Sequence, residues 1–403
     1  MPRKKVLIAH PYVRPSGGGN AVAAWAIEAL RKEFDVTLAT LGPVDCAALN
    51  RNFGTSLQDG EFTVRVAPRR YRMLVHSLPT PGALMHVCLT MRLSQELDRR
   101  ERFDVLLGTQ NELDFGRLGL QYVHFPWVYL PRPKAEYRWY HRIPGLLTAY
   151  RGCCGSVARI SNEGLRRNLS LANSEFVAGK IKEVHGTESL ILYPPVPGEF
   201  PEIPWELRRP AAVAVGRMNG SKRWEMAVAI VDQVRRAGLD LGLTLIAHQD
   251  DRKYGRRIAA LAESRPWFRI LSDVTRSQLV EEIAQHRYGI HTMEEEHFGI
   301  AVGEILRAGA IPFVHNSGGP VEIVGGRPEL RFDSVEDAAE KIAAVLTTPA
   351  LEKTLQQFVQ KRRDYFSAEH FCERLRKLAR SFPECGFTAQ VPAPVVPQSL
   401  RIS

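Results

Sequence analysis

No run in this chain approaches the ~20 apolar residues that a membrane-spanning helix needs. The basic N-terminus, Met1-Pro2-Arg3-Lys4-Lys5, is followed only by the short apolar stretch Val6 to Ala9 before His10. That is too little for the apolar centre of an export signal, and the segment reads instead as a first strand. Cysteine is scarce and scattered: Cys46, Cys88, Cys153, Cys154, Cys372 and Cys385 show neither zinc-ligand spacing nor a framework of pairs. This argues against a disulfide-stapled or zinc-built domain and for free thiols in a reducing, cytoplasmic setting. There is no G-x-S-x-G, no P-loop, no H-E-x-x-H and no G-x-G-x-x-G. Those absences remove the signatures of many serine hydrolases, nucleotidases, zinc proteases and dinucleotide enzymes. No Asp-x-Asp pair occurs, so carboxylates set to hold a metal against a diphosphate find no support. Neither a metal nor a cofactor is expected.

What is present is a soluble composition, 44% hydrophobic and 24% charged, in 403 residues. Domains usually hold about 100–200 residues, so two are expected. Charge is unevenly placed. Residues 1–195 carry 26 Lys+Arg against 17 Asp+Glu, and the remainder 28 against 27. The net charge of +10 therefore lies almost wholly in the first half. That half suits an anionic partner, whether a lipid surface, a phosphorylated acceptor or nucleic acid, or is simply a basic soluble face.

The pattern along the chain alternates strands and helices. Val6 to Ala9 is a buried-type strand, His10 to Gly19 a glycine-bearing loop, Asn20 to Lys32 a helix with Asn20 as its cap, and Val36 to Thr40 the next strand. Further strands are expected at Phe62 to Val66, Val105 to Gly108, Leu120 to His124 and Asn168 to Asn173, the last leading into a helix capped by Ser174. Six prolines between Pro194 and Pro210 mark a linker. A second series starts with the strand Ala211 to Val215 and repeats the logic. The expected divisions are 1–193, a Pro-rich linker 194–210, a second domain 211–365, a C-terminal helix 366–382 and a disordered tail 383–403. The fold class is α/β, two Rossmann-like domains with parallel sheets.

Five places suggest chemistry. Gly17-Gly18-Gly19 between a first strand and helix would let an anion approach a helix start, though three glycines alone equally suit a plain loop. Arg217 and Lys222 flank a Gly-containing turn after the first strand of the second domain, where open α/β sheets bind ligands; they suit a diphosphate or are a solvated basic loop. Glu296 and Glu304 are eight positions apart, about 80° off one helix face, so only a bend at Phe298-Gly299 would point both into one site. Glu304 stands among Ile300, Ala301, Val302, Ile305 and Leu306, surroundings in which a charge usually has a ligand or partner. The loop Asn316-Ser317-Gly318-Gly319-Pro320 follows and would offer free backbone N–H groups. His124, at a strand's C-terminal edge, would donate to a phosphate or hydroxyl, or serve only the fold.

Glu296-x7-Glu304 followed by a Gly-Gly loop, with Gly216-Arg217 and Lys222 upstream, resembles the family-4 retaining glycosyltransferases of GT-B fold. The likeness covers most of the chain, including the first glycine loop, Asn173-Ser174, Leu192-Tyr193-Pro194-Pro195 and the helix after residue 366. Tyr122-Val123-His124-Phe125-Pro126, Glu296-His297-Phe298-Gly299-Ile300 and His315-Asn316-Ser317-Gly318-Gly319-Pro320 are most similar to members that add α-1,2-mannose from GDP-mannose to a dolichol-linked oligosaccharide. The N-terminal membrane anchor of those members is not expected here.

The resemblance implies two domains facing across a cleft, the C-terminal helix returning to the first. It implies Arg217 and Lys222 on the leaving diphosphate, Glu304 on ribose hydroxyls, and Glu296 on the transferred sugar with help from His297, Phe298, Gly299 and Ile300. The base would lie near Asp273-Val274, with Gly18, Gly19 and His124 on the diphosphate or sugar. The expected activity is metal-independent, α-retaining hexosyl transfer from a nucleotide-sugar, GDP-mannose first and a UDP-sugar next. The acceptor is a glycan, a lipid-linked glycan or a small molecule. A GT-B phosphorylase or a sugar-nucleotide epimerase is the enzymatic alternative. A basic nucleotide- or nucleic-acid-binding protein is the other, although no RNA-binding signature is present and no nucleic acid is expected. Arg65, Arg69, Arg70 and Arg72, interleaved with Tyr71, Met73 and Leu74, raise the expectation of peripheral contact with the anionic inner face of a membrane.

Overall fold

The computed structural model describes residues 2–69, 71, 83–127, 143 and 145–382. The expected tail 383–403 and the residues Arg70, Arg72, Met73 and Leu74 lie outside them. The chain divides into two compact units. One comprises residues up to Pro195 together with those from Phe371 onward, the other Val196 to His370.

The first unit is built on a seven-stranded sheet. Its strands are β1 (Lys5–Ala9), β2 (Asp35–Thr40), β3 (Thr63–Val66), β4 (Val105–Gly108), β5 (Leu120–Val123), β6 (Leu169–Ala172) and β7 (Ser189–Ile191), in the order β3-β2-β1-β4-β5-β6-β7. All recorded pairings are parallel. Successive side chains of a strand point to opposite faces, and β1 shows the consequence. Val6 and Ile8 enter one apolar cluster with helices α1 (Gly18–Leu30) and α2 (Cys46–Phe53), while Leu7 and Ala9 enter another with α3 (Ala83–Glu101) and α4 (Leu146–Ala158). Burial on both faces is why β1 reads as an unbroken apolar run. Two shorter elements, α5 (Asn162–Arg167) and α6 (Glu175–His185), frame β6. Ser174 caps α6 by accepting from the Val177 amide at 3.0 Å, as expected from its position.

Asn20 does not cap α1. The helix starts earlier, at Gly18, with Gly17 in the cap position at φ 84°. Asn20 instead accepts from the Arg14 amide at 3.1 Å and lies 3.0 Å from His10 Nε2.

The second unit carries a six-stranded sheet in the order β10-β9-β8-β11-β12-β13. The strands are β8 (Arg209–Met218), β9 (Gly242–Gln249), β10 (Phe268–Ser272), β11 (His286–His291), β12 (Ile311–His315) and β13 (Arg331–Phe332). Helices α7 (Trp224–Arg236), α8 (Arg252–Glu263), α9 (Arg276–Ala284), α10 (Ile300–Arg307), α11 (Pro320–Ile323), α12 (Val335–Thr347) and α13 (Pro349–Arg362) connect and cover it. β8 runs three residues beyond the expected Val215, because its pairing with β9 continues through Gly216, Arg217 and Met218. Gly216 thus lies within the strand. A Cβ there would come within 3.1 Å of Trp224, so close packing rather than a turn accounts for the glycine. Pro194 and Pro195 close the first unit, and the linker prolines from Pro197 on belong with the second: Val196 and Phe200 are buried, and β8 already begins at Arg209.

The last helix, α14 (Ala368–Ser381), returns to the first unit. Phe371, Cys372, Leu375 and Ala379, with Phe382 beyond, enter the same cluster as Val6 and Ile8.

Candidate active site

In an open parallel sheet, strand order reverses at a switch point, and ligands bind outside the C-terminal ends of the strands there. In the second unit that point lies between β8 and β11. The chain leaves β8 through Asn219, whose side chain donates to Asp250 at 2.7 Å, and a single 3-10 turn, Gly220–Lys222. Thr292, directly after β11, donates through its hydroxyl to the Lys222 carbonyl at 2.6 Å. The two strand exits are thereby tied together. Lys222 Nζ donates to Glu296 Oε2, and both side chains are largely buried, 12% and 18% exposed. His291 Nε2 stands 3.6 Å from the same carboxylate oxygen. Burial, the largest influence on Glu296, acts to raise its pKa, but the charge of Lys222 and the nearby His291 hold it well below the usual carboxylate range. Burial pushes the His291 imidazole below the ordinary histidine value, against the pull of Glu296. The site is therefore a carboxylate and an ammonium side by side, with a neutral imidazole behind them.

The turn carrying Glu296 is held by the glycine loop after β12. The Gly319 amide donates to the Glu296 carbonyl at 2.8 Å, and the Glu295 amide donates to Ser317 Oγ at 2.8 Å. A Cβ on Gly318 would lie 2.2 Å from the Glu296 carbonyl oxygen, and one on Gly319 would lie 2.5 Å from that of His297. These glycines permit backbone to press on backbone. The Gly319 N–H, read from the sequence as an anion donor, is used inside the protein.

The helix α10 opens immediately afterwards from Gly299, at φ 96°. Phe298 is buried, with its ring 5.8 Å from that of Phe366, and His297 and Ile300 are half-buried. Glu304 lies within α10, 6% exposed, and accepts from Arg276 Nη1; Arg276 Nη2 donates to the Pro197 carbonyl at 2.5 Å. Val274 packs against the apolar cluster of Val213 and Ile305, and Asp273 beside it lies 2.8 Å from His248 Nδ1. A cavity of about 640 Å³ opens at the ends of β8, β9 and β10, lined in part by Met218, Gln249, Arg252, Ile270 and Ser272.

Arg217 sits differently from the sequence reading. It lies in β8 rather than in the following loop, its side chain is 67% exposed, and it reaches Asp250 at 3.6 Å. The structure joins Lys222 to Glu296 and directs Arg217 to Asp250. Three contributors escaped the sequence reading: His291, Thr292 and Arg276. His291 carries the signal already applied to His124, a histidine at the C-terminal edge of a strand. Arg276 meets Glu304 across 28 positions of sequence, and no local pattern announces that pairing.

The first unit has its own cluster at its switch point, between β1 and β4. His10 Nδ1 lies 3.0 Å from Thr109 Oγ1, and His124 Nε2 lies 3.0 Å from the Thr109 carbonyl. Burial pushes both histidines down to about 4, so they are neutral at pH 7. Because a carbonyl only accepts, His124 carries its proton on Nε2 and presents Nδ1 as an acceptor. A neutral His124 therefore has no second N–H for a phosphate, contrary to the donor role read from sequence. Gly18 is exposed, and a Cβ on Gly19 would come within 3.4 Å of His124 Nε2, so the glycine loop and this histidine are neighbours.

Comparisons with known proteins follow this geometry. WaaG, a glycosyltransferase involved in lipopolysaccharide biosynthesis, superposes with a TM-score of 0.60 at 14% identity, covering 93% of this chain and 99% of that one. Anabaena Alr3699/HepE in complex with UDP gives a TM-score of 0.63 at 12% identity, covering 94% and 100%. The chain has the GT-B fold that such glycosyltransferases share. Its residues 198–364 match the model of the family described as Glycosyl transferases group 1. Among curated relatives, the GDP-Man:Man(3)GlcNAc(2)-PP-Dol alpha-1,2-mannosyltransferase of Dictyostelium discoideum is 30% identical over 130 residues, 32% of this chain and 23% of that protein. The human protein of the same name is 44% identical over 84 residues, 20% of this chain and 17% of its own length. The chain thus spans less than a quarter of the length of either relative.

Proposed function

We propose that the chain is a retaining, metal-independent glycosyltransferase that moves a hexose from a nucleotide-sugar to a hydroxyl group. The observation that carries this reading is the largely buried Lys222–Glu296 pair, backed by His291, at the switch point of the second sheet. GDP-mannose is the first donor to test, because the curated relatives are named for its use; UDP-sugars come next. The acceptor is a glycan, lipid-linked or small-molecule hydroxyl. The setting is the cytoplasm, with peripheral contact at an anionic membrane through the basic first half; among the described residues no helix is long and apolar enough to cross a membrane.

Lys222 and Glu296 neutralise each other. With a donor bound, the diphosphate takes the ammonium of Lys222, assisted by the mobile charge of exposed Arg217, while sugar hydroxyls donate to the freed Glu296 carboxylate. The ribose hydroxyls donate to Glu304 Oε2, the oxygen that Arg276 leaves open, and the base lies near Val274. As the anomeric C–O bond breaks, negative charge grows on the phosphate, where preplaced Lys222 and the start of α10 at Phe298, Gly299 and Ile300 stabilise it. The acceptor oxygen attacks from the side of the leaving phosphate, which takes its proton, so the α configuration is kept. His124 accepts a hydrogen bond from a hydroxyl through Nδ1, in a positioning role.

The test is a thermal-shift panel of GDP, UDP, ADP and TDP and their sugars. A ligand at 100 times its Kd adds about 2.7 kcal/mol of stability. GDP and GDP-mannose are expected to stabilise the wild type and not Lys222→Ala, and transfer is expected to persist in EDTA with an α-linked product. No response to any nucleotide-sugar, or an equal response in Lys222→Ala, would sink the assignment.

A further inference from the structure

A second cavity, of about 480 Å³, lies in the first unit and has no part in the chemistry above. Five arginines line it, against two aspartates: Arg99, Arg102, Arg117, Arg159 and Arg167, with Asp98 and Asp114. They come from separate segments. Arg99 is in the last turn of α3 and Arg102 just beyond it, Arg117 precedes β5, Arg159 ends α4, and Arg167 ends α5 and precedes β6. The cavity therefore sits at the N-terminal ends of β4, β5 and β6. Thr109 and His124 follow the C-terminal ends of β4 and β5. The four residues of β4 alone separate the two edges by about 13 Å, at about 3.3 Å per residue.

Cations at helix C-termini are favoured by the helix dipole, and that alone explains single arginines at such ends. It does not explain their convergence on one hollow. Nor do the aspartates absorb the charge. Asp98 is held by Arg117 in a two-pronged bond at 2.7 Å through each of Nε and Nη2. Asp114 accepts from the Gly116 amide, the Ser161 amide and the Ser161 hydroxyl, at 2.8, 3.0 and 3.1 Å. Arg167 pairs outward with Glu163 at 3.0 Å. Among the described residues, Arg99, Arg102 and Arg159 form no ion pair, and all three are exposed to solvent. Arg102 and Arg159 also hold left-handed backbone, at φ 51° and 53°, where glycine or asparagine would be the easier residue. The side chain, rather than the backbone, accounts for arginine at both.

We propose that this hollow is a second anion site, built for the phosphate groups of a phosphomonoester or diphosphate, on the sheet edge opposite His124. Guanidinium forks match phosphate oxygens in pairs, and three unpaired forks around one cavity suit a group with several oxygens and more than one negative charge. The ligand is either a soluble phosphorylated molecule or a phospholipid headgroup.

The experiment uses the full chain carrying Lys222→Ala, which removes the donor-site cation from the measurement. Inorganic pyrophosphate is titrated calorimetrically into this protein and into the same protein with Arg102→Ala and Arg159→Ala added. One site is expected in the first, weakened at least tenfold in the second, with unchanged melting temperature. If the double substitution lowers melting, Arg99→Gln alone replaces it and is expected to weaken binding several-fold. Co-sedimentation with phosphatidylglycerol vesicles, against phosphatidylcholine vesicles, separates the sources. Capture lost with Arg102 and Arg159 assigns the phosphate to a headgroup, and pyrophosphate binding without capture assigns it to a soluble ligand. No pyrophosphate binding in the Lys222→Ala protein, or binding that ignores all three arginines, overturns the proposal.

Discussion

Replacing Lys222 with methionine keeps most of the side-chain bulk and removes the cation that faces Glu296. Losing one partner of a buried ion pair typically costs about 3–5 kcal/mol, whereas exposed pairs are worth about 0.2–1 kcal/mol. The two side chains are 12% and 18% exposed, near the buried limit, but His291 at 3.6 Å remains to offset part of the loss. About 2–3 kcal/mol is therefore expected for Lys222→Met at pH 8, and about 1–2 kcal/mol for Glu296→Gln. The double variant should lose less than the sum, with a coupling of about 2 kcal/mol. The effect has a pH signature. Glu296 titrates lower in the folded protein than unfolded, so the pair's contribution is complete above the ordinary carboxylate range and is lost as pH falls through the folded pKa. Without Lys222, burial dominates and the sign reverses, so the variant's deficit should be widest near neutral pH and narrow toward pH 3. Urea unfolding followed by tryptophan fluorescence reads this: Trp205, Trp224 and Trp267 report on the second unit, while others such as Trp25 and Trp127 report on the first. With two units, separate transitions must be fitted rather than one. A coupling below about 0.5 kcal/mol, as for a surface pair, or a deficit flat from pH 3 to 8 would refute the reasoning. Loss of this preplaced cation should also lower kcat by about 10²–10³.

Gly318→Ala places a Cβ 2.2 Å from the Glu296 carbonyl at φ +74°, so it should cost more than about 2 kcal/mol and weaken nucleotide-sugar binding, as thermal shift would show. Arg276→Ala leaves Glu304 buried without its cation and should destabilise the second unit by about 2–3 kcal/mol, with Arg276→Ala/Glu304→Gln partly restored in the same urea assay. His10, folded pKa about 4 against about 6.5 unfolded, stays neutral while the unfolded chain takes up a proton, so stability should fall as pH drops from about 6.5 to 4. His10→Gln should flatten that slope by close to one proton, measured as the urea midpoint against pH.

The strands were legible where both faces are buried, because runs such as Val6 to Ala9 and Val105 to Gly108 have no polar alternation to confuse them. Their order gave two parallel α/β units, and the GT-B architecture came from the family resemblance that the glycine and carboxylate motifs carry. Ends of elements were less legible. β8 overran its expected end because the neighbouring β9 went on offering hydrogen bonds to Gly216, Arg217 and Met218, a fact of pairing rather than of local sequence. The same overrun moved Arg217 out of the loop. Lys222 and Glu296 could each be placed after a strand from sequence, but their mutual bond could not, nor could Arg276 beneath Glu304, since both join residues far apart in the chain. The Gly318-Gly319 pair was noticed for the right residues and the wrong reason: it serves close backbone contact instead of an open anion cradle.

The return of α14 to the first unit has a consequence for synthesis. A ribosome finishes β1 to β7 while Phe371, Cys372, Leu375 and Ala379 are still unmade, so the strip of that apolar cluster which α14 covers stays open for the whole time that the second unit is being translated. The earlier-made unit is thus the later one to be completed, and its exposed strip beside Val6 and Ile8 is where a chaperone would first be needed.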